Sequence, residues 1–469
     1  MNPHHQVRLP ARIGWGFGGV ADNLIINTIN VLGLLLYVDF FRMDPVLAGV
    51  AIFIPRLADA ISDPLIGSLS DNTRSRWGRR KPYMVAGVIL SAVILPLLWM
   101  PPFAETGRNV WYANGPFLWL AVMGTLYTTA YTLFSVPYTA LGYELTTDYD
   151  ERTRVLAWRM YLGLGASLAV PWIYRLCKLE IFSDEIIGAR WVSVGIGALV
   201  VFTGLLPVLL TRENQLAVKQ EKLRLAEAIR YTLGNRPFQI LMLSYLLFIG
   251  GLFSAGNIGG FVNIYHVCGG DKVFAGQLGG IVGTVGAVVS YLSMFLITAI
   301  ATRTDKRTGL VIGLGISLMG ILASWWALDP RWPYAQVATT AITMLGMPGC
   351  WLLIGSMVAD ICDEDELKTG RRREGMFGAV NGFVLKIAMA VTSLIGGAML
   401  AFAGFDADQA NAGEMSTQTA LTMKNLIVGA QAIGILCALV IVAFYPINRR
   451  RAEETRRILD ERHAALKSS

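Results

Sequence analysis

The sequence predicts an all-α polytopic membrane protein: twelve transmembrane helices in two pseudo-symmetric six-helix bundles, with both termini cytoplasmic. Three observations carry that prediction. Of 469 residues, 54% are hydrophobic and only 16% charged, with a mean hydropathy of +0.50, whereas soluble domains average about 25% charged. Apolar runs close to the roughly 20 residues that cross a bilayer as a helix recur along the whole chain. Basic residues also alternate between heavily and sparsely populated loops.

The spans are read at 13–38, 46–70, 83–103, 116–141, 155–175, 190–211, 237–258, 274–300, 309–328, 334–359, 377–403 and 422–446. The first twelve residues are polar, and the first apolar run is too long and too glycine-rich for the h-region of a cleavable signal peptide. Most of the 40 Lys and Arg fall in the termini and in the loops after the second, fourth, sixth, eighth and tenth spans. Such a bias places those segments in the cytoplasm. The net charge of +7 is therefore a topology signal, and no nucleic-acid partner is implied.

Residues 212–236 form the longest internal loop, charged and helix-prone. They separate an N-terminal bundle at 1–211 from a C-terminal bundle at 237–446, and 447–469 is a cytoplasmic tail. The halves echo each other. NTRSRWGRRK after the second span answers ATRTDKRTG after the eighth, and ELTTDYDERTR after the fourth answers DICDEDELKTGRRRE after the tenth. Repeated six-helix halves imply a transporter with its site at their interface.

Other classes find no support. Gly14, Gly16 and Gly19 satisfy G-x-G-x-x-G, but they open a membrane helix with no strand before them, so the dinucleotide reading fails. Small residues of this kind let membrane helices pack closely. Five scattered cysteines form no CxxC pair, and four histidines show no metal spacing. No nucleophile–base constellation and no Walker motif is present, so neither an enzyme nor an ATP-driven pump is expected, and no cofactor.

Ionisable residues inside a membrane are costly and mark function by default. The stretch IFIPRLADAISDPLIGSLSD holds the densest set. Asp59 and Asp63, spaced i, i+4, project from one helix face, with Ser62 between them. Two such carboxylates need a shared cation or a proton. An oxygen-rich cluster suits Na+ at Asp59 and Asp63, and protonation would serve H+ coupling equally. Arg56, one turn earlier, offers a structural ion pair as the alternative. Asn23, Asn27 and Asn30 recur at i, i+4 and i+7, a polar stripe with Asp22 and Thr28 at its margins. Amides there suit sugar hydroxyls in a wet cavity, or interhelical bonding. YTLFSVPYTAL places Tyr131, Thr132, Ser135 and Tyr138 around Pro137. Arg159 opens the fifth span, Trp351 offers an apolar stacking face in the tenth, and Lys386 lies too deep in the eleventh to snorkel.

DAISDPLIGSLSDNTRSRWGRRKPY (59–83), YTLFSVPYTAL (131–141), DERTRVLAWR (150–159) and VADICDEDELKTGRRREGMFGAVNGFVLK (358–386) together resemble the glycoside–pentoside–hexuronide:cation symporters. This is the melibiose permease family within the major facilitator superfamily, and the likeness covers essentially the whole chain. It implies cation-coupled import of a glycoside, oligosaccharide or uronide by alternating access, in a bacterial inner membrane. The implied cation site is Asp59, Ser62, Asp63 and Thr132. The implied sugar positions are Asn23, Tyr131, Ser135, Arg159, Trp351 and Lys386. Melibiose permease carries Asn at the Ser62 position, which leaves Na+ and H+ open. It carries acids where Asn23 and Ser135 stand here, and loss of negative charge beside Arg159 and Lys386 would favour an anionic substrate such as a uronide.

The loops form a candidate cytoplasmic gate: Arg74, Arg76, Arg79 and Arg80 in the first half, Asp360, Asp363, Arg372 and Glu374 in the second. Anchoring to anionic lipid is the alternative role, since surface pairs contribute only ~0–1 kcal/mol each. Expected partners are a small sugar or glycoside and membrane lipid, with the chain a monomer. Two rivals remain. A lysophospholipid carrier of the same architecture would need a wide apolar cavity. A non-transporting sensor or scaffold would need a soluble domain or a long tail.

Overall fold

The computed structural model describes residues 7–102, 115–146, 149–211, 230–232, 234–370 and 373–468. Most of the predicted middle loop, 212–236, and Arg372 of the predicted gate lie outside them. Every regular element described is helical. In chain order, α1 is Leu9–Asp39, α2 Pro45–Asn72, α3 Lys81–Leu97, α4 Gly115–Glu144 and α5 Tyr149–Ala169. A 3₁₀ turn, Val170–Trp172, then leads into α6, Ile173–Cys177, and α7 is Glu185–Leu210. Then come α8 at Arg236–Phe261 with a π turn at Val262–Val267, α9 at Lys272–Arg303 and α10 at Lys306–Ala327. The last are α11 at Ala335–Thr369, α12 at Glu374–Phe402, α13 at Ala407–Asn411, α14 at Thr417–Val442 and α15 at Arg449–Ser468.

Aspartates start several of these helices by accepting the first free backbone N–H groups. Asp44 accepts from Val46 and Leu47 N at 2.9 and 3.0 Å, ahead of Pro45 at the first helical position. Asp184 does the same for α7 and Asp305 for α10. Gly370, at φ 68°, ends α11 in the left-handed region that glycine adopts freely.

Ten of these helices are long and apolar enough to cross a membrane. α3 has 17 residues, and α5 carries Glu151, Arg154 and Arg159. The best apolar window of α9 is only 22% buried within the protein. Phe295, Phe402, Trp326 and Leu209 stand 70–80% exposed. Apolar faces turned outward over whole helices are the mark of a lipid-facing surface, and the chain is a multi-pass integral membrane protein.

The chain divides into two compact units. The first comprises Met1–Lys219, Gly260–Thr284 and Ser393–Ala420; the second comprises Gln220–Gly259, Val285–Thr392 and Leu421–Ser469. In the first, α1 packs on α5 and α7, α2 on α4, and α3 on α4 and α7. In the second, α10 lies along α11, and α15 packs on α11. A β-carbon on Gly346 would fall 1.9 Å from Gly313 O, so α10 and α11 touch backbone to backbone there.

One element runs longer than its apolar pattern. The tenth span reads as ending near 359, yet α11 continues to Thr369. ADICDEDELKT loses hydrophobicity but keeps helix-forming residues, and Gly370 supplies the stop. Asp360 and Asp363 therefore lie on a helix rather than in a loop.

Candidate transport site

The seam between α2 and α4 holds the first cluster. Asp59 is 9% exposed, and Thr132 Oγ1 donates to its Oδ1 at 2.6 Å. Ser62 Oγ lies 3.2 Å from Asp59 O and 3.4 Å from Thr132 Oγ1. Helical spacing places Ser62 and Asp59 on the face that α4 covers, and Thr132 meets them from the other side. Asp59, Ser62 and Thr132 are thus brought together, while Asp63, one turn on, is half-buried. Ile26, Ile52, Pro55, Arg56, Asp59 and Tyr131 help to line a void of about 30 Å³. That suffices for one or two water-sized particles and excludes a sugar. Among the described residues no group of three or more His, Cys, Asp or Glu could hold a metal ion. Any ion at Asp59 would rely on hydroxyl and carbonyl oxygens beside the carboxylates. Arg56 donates to Asn30 Oδ1, which ties α2 to α1 beside this void.

The second cluster lies between α1, α4 and α5. Asp22 Oδ1 accepts from Ser135 Oγ at 2.7 Å, and Asp22 Oδ2 accepts from Arg159 at 2.9 Å. The Tyr131 hydroxyl stands 3.3 Å from Ser135 Oγ. The Arg159 guanidinium lies 5.2 Å from the centre of the Tyr138 ring, a cation–π contact. Tyr138 is locked in turn: its hydroxyl donates to Trp15 O at 2.8 Å and its carbonyl accepts from Trp15 Nε1 at 3.1 Å. A β-carbon on Gly19 would fall 2.9 Å from Arg159 Cγ, and one on Gly18 2.3 Å from the Tyr138 ring. The glycines of α1 thus admit the side chains that build the cluster.

The geometry corrects one expectation. Loss of the acids at the Asn23 and Ser135 positions implied a site without negative charge beside Arg159. Asp22 supplies that charge, and Ser135 binds it. In the sequence Asp22 stands at the margin of the asparagine stripe. Like Asp59, it is an acid inside an apolar span, the pattern that marks function in a membrane. Asn23 of the stripe reaches across to α5, its Nδ2 donating to Ser167 Oγ at 3.0 Å, while Asn27 Nδ2 donates within α1 to Asn23 Oδ1 at 3.0 Å. Thr28 is fully buried and bonds back to Leu24 O.

In the second unit, Trp351 is half-buried and held edge-on by Tyr245, Phe248 and Phe253 of α8, at centroid distances of 5.7, 6.3 and 6.3 Å. Lys386 is half-buried on α12. Of the predicted gate, Arg79 chelates Glu144 at 2.6 and 2.7 Å, and Arg80 pairs with Asp71 at 2.8 Å and Glu144 at 2.9 Å. Nothing local in the sequence points to Glu144 and Asp71 as their partners. Arg74 and Arg76 are exposed. Asp360 pairs with Lys306 at 2.7 Å. Asp363 is half-buried and lines a cavity of about 530 Å³ beneath α15. The side chain of Glu374, like Arg372, lies outside the described set.

The family model described as MFS/sugar transport protein matches residues 14–449. The chain belongs to that family. Relatives of this MFS/sugar transport protein include the inner membrane symporter YicJ of Escherichia coli, 25% identical over 84% of this chain and 83% of its own. The isoprimeverose transporter of Lactiplantibacillus pentosus is 22% identical over 93% and 88%. The sodium-dependent lysophosphatidylcholine symporter 1 of Xenopus tropicalis is 24% identical over 97% and 90%. Among solved structures, a D-xylose-proton symporter superposes with a TM-score of 0.63 at 14% identity, over 93% of this chain and 97% of that one. A bacterial homologue of the lysosomal transporter Spinster superposes at 0.66, with 15% identity and 98% of both chains covered. At such identities these structures speak for the fold.

Proposed function

We propose that the chain is a symporter that couples Na+ or H+ to the movement of a small neutral glycoside by alternating access. One observation carries the reading: a single unit holds two polar clusters of different character. The Asp59–Ser62–Thr132 cluster adjoins a void too small for a sugar, as a coupling ion needs. The Asp22–Ser135–Arg159–Tyr131 cluster offers alternating donors and acceptors, as sugar hydroxyls need. Asp22 neutralises Arg159, which favours a neutral glycoside over a uronide. Twelve spans follow if α3 and α5 join the ten longer apolar helices, and the basic bias puts both termini in the cytoplasm.

Names among the relatives point to sugars and to a lysophospholipid. The density of amides, hydroxyls and charge on α1, α4 and α5 supports the sugar. The test is uptake of labelled glycosides and uronides into proteoliposomes, with Na+ and pH gradients imposed separately. Asp59→Asn is expected to abolish gradient-driven accumulation while leaving sugar binding measurable. Full accumulation by that variant would refute the coupling role.

A further inference from the structure

One end of the first unit gathers opposite charges from distant parts of the chain. Asp39 closes α1 and is 2% exposed. Its carboxylate accepts from the Tyr265 hydroxyl, from Lys272 Nζ, and from Asn411 Nδ2 at 3.0 Å. Lys272 Nζ also donates to Glu185 Oε1 at 3.1 Å and to Asn411 Oδ1 at 2.8 Å. One ammonium thus directs its three protons to three acceptors. Glu185, 8% exposed in the first turn of α7, meets Lys178 Nζ at 2.5 Å through its other oxygen. Asp39, Lys178 and Glu185 belong to the first half of the sequence. Tyr265, Lys272 and Asn411 belong to the second.

The surrounding backbone is held in the same way. Arg42 is the non-glycine residue with positive φ among those described, at 55°. Few side chains rest there without outside support. Its guanidinium donates to Asp39 O at 2.7 Å and Ala407 O at 2.6 Å, and pairs with Asp408 at 3.0 Å. Alongside, α2 and α12 touch backbone to backbone: a β-carbon on Gly397 would fall 2.2 Å from Pro45 O. Trp172 Nε1 donates to Thr284 Oγ1 at 2.9 Å across a further seam.

We propose that Lys272, bridging Asp39 and Glu185, is the keystone of a releasable ionic latch that holds this end shut and parts to admit substrate. The basic-loop bias makes this the outer end. The proposal rests on the transport reading above. A charge network suits a closure that must reopen. Buried ion pairs gain little over their hydrated components, so parting into outside water restores most of what separation loses. An apolar plug has no such compensation. Separation also lets Arg42 relax from its unusual backbone conformation.

The test uses the full-length protein in nanodiscs, in a cysteine-free background, with spin labels at Ile181→Cys and Glu414→Cys. Ile181 is 80% exposed and Glu414 is exposed. Pulsed EPR then reads the distance between first-half and second-half segments at this end, with no substrate needed. Lys272→Met is expected to raise the long-distance population on the order of tenfold over wild type, since it removes the ammonium shared by two buried carboxylates and leaves Glu185 with Lys178 and Asp39 with neutral donors. Lys272→Arg, which keeps the charge, is expected to stay near the wild-type distribution. A wild-type distribution in Lys272→Met overturns the latch. If Lys272→Met does not fold, Asn411→Ala must shift the distances in the same direction by a smaller factor, and no shift overturns the proposal equally. A distance shift accompanied by failure to carry any glycoside supports the latch and strikes only the transport reading.

Discussion

Asp22→Asn removes the negative charge that Arg159 meets at 2.9 Å, while the amide keeps an oxygen for Ser135. The Arg159 side chain is 28% exposed, so it holds part of its hydration when the partner goes. A hydrogen bond to a charged group contributes about 1.5–3 kcal/mol. The raw attraction of two unit charges 4 Å apart is about 4 kcal/mol at an effective dielectric of 20, before desolvation is subtracted. The balance is about 2 kcal/mol of uncompensated positive charge, or roughly thirtyfold in a binding ratio. The substitution is thus expected to shift selectivity roughly thirtyfold from neutral glycosides toward uronides of the same size. The assay is competition: uptake of a labelled neutral glycoside by proteoliposomes at fixed pH and ion gradient, titrated with unlabelled uronide. An unchanged inhibition ratio would show that Asp22 does not set the charge of the substrate site. A wild-type protein that already prefers uronides would refute the reasoning at its root.

Two further substitutions probe the same region. Thr132→Val deletes the hydroxyl that donates to Asp59 at 2.6 Å in a buried seam. The loss of about 1–2 kcal/mol should raise the ion concentration for half-maximal uptake roughly tenfold, with the sugar dependence less affected. Equal sensitivity of ion and sugar dependence would remove Thr132 from the ion site. Gly18→Ala drives a methyl to 2.3 Å from the Tyr138 ring. Overpacking of about 1–3 kcal/mol should lower the thermal midpoint of the detergent-solubilised protein and loosen Arg159 with it. A wild-type midpoint would mean that α1 and α4 can move apart at no cost.

Much of the candidate site is legible in the sequence where its members are close along one helix. Asp59, Ser62 and Asp63 announce themselves by i, i+3 and i+4 spacing inside an apolar run, because helical periodicity is local. Thr132 joins them in sequence only through motif resemblance, because its hydrogen bond to Asp59 spans 73 positions. Asp22 was legible as an intramembrane acid, but its role was not. Pairing with Arg159 spans 137 positions and depends on Gly19 letting α5 approach. Arg79 and Arg80 read as gate charges from their loop, whereas Glu144 and Asp71 hold them in place.

The recurrence of apolar helices, the basic loops and the acids that interrupt a membrane segment are all legible in the amino-acid order. Each follows from composition within a window of about 20 residues, since bilayer transfer is settled helix by helix. Which charge faces which depends on how the helices pack. Lys272 could have answered any acid at its end of the fold, and it meets Asp39, 233 positions earlier, together with Glu185. Electrostatic partners are selected by distance in space, and that distance exists only after the helices have packed.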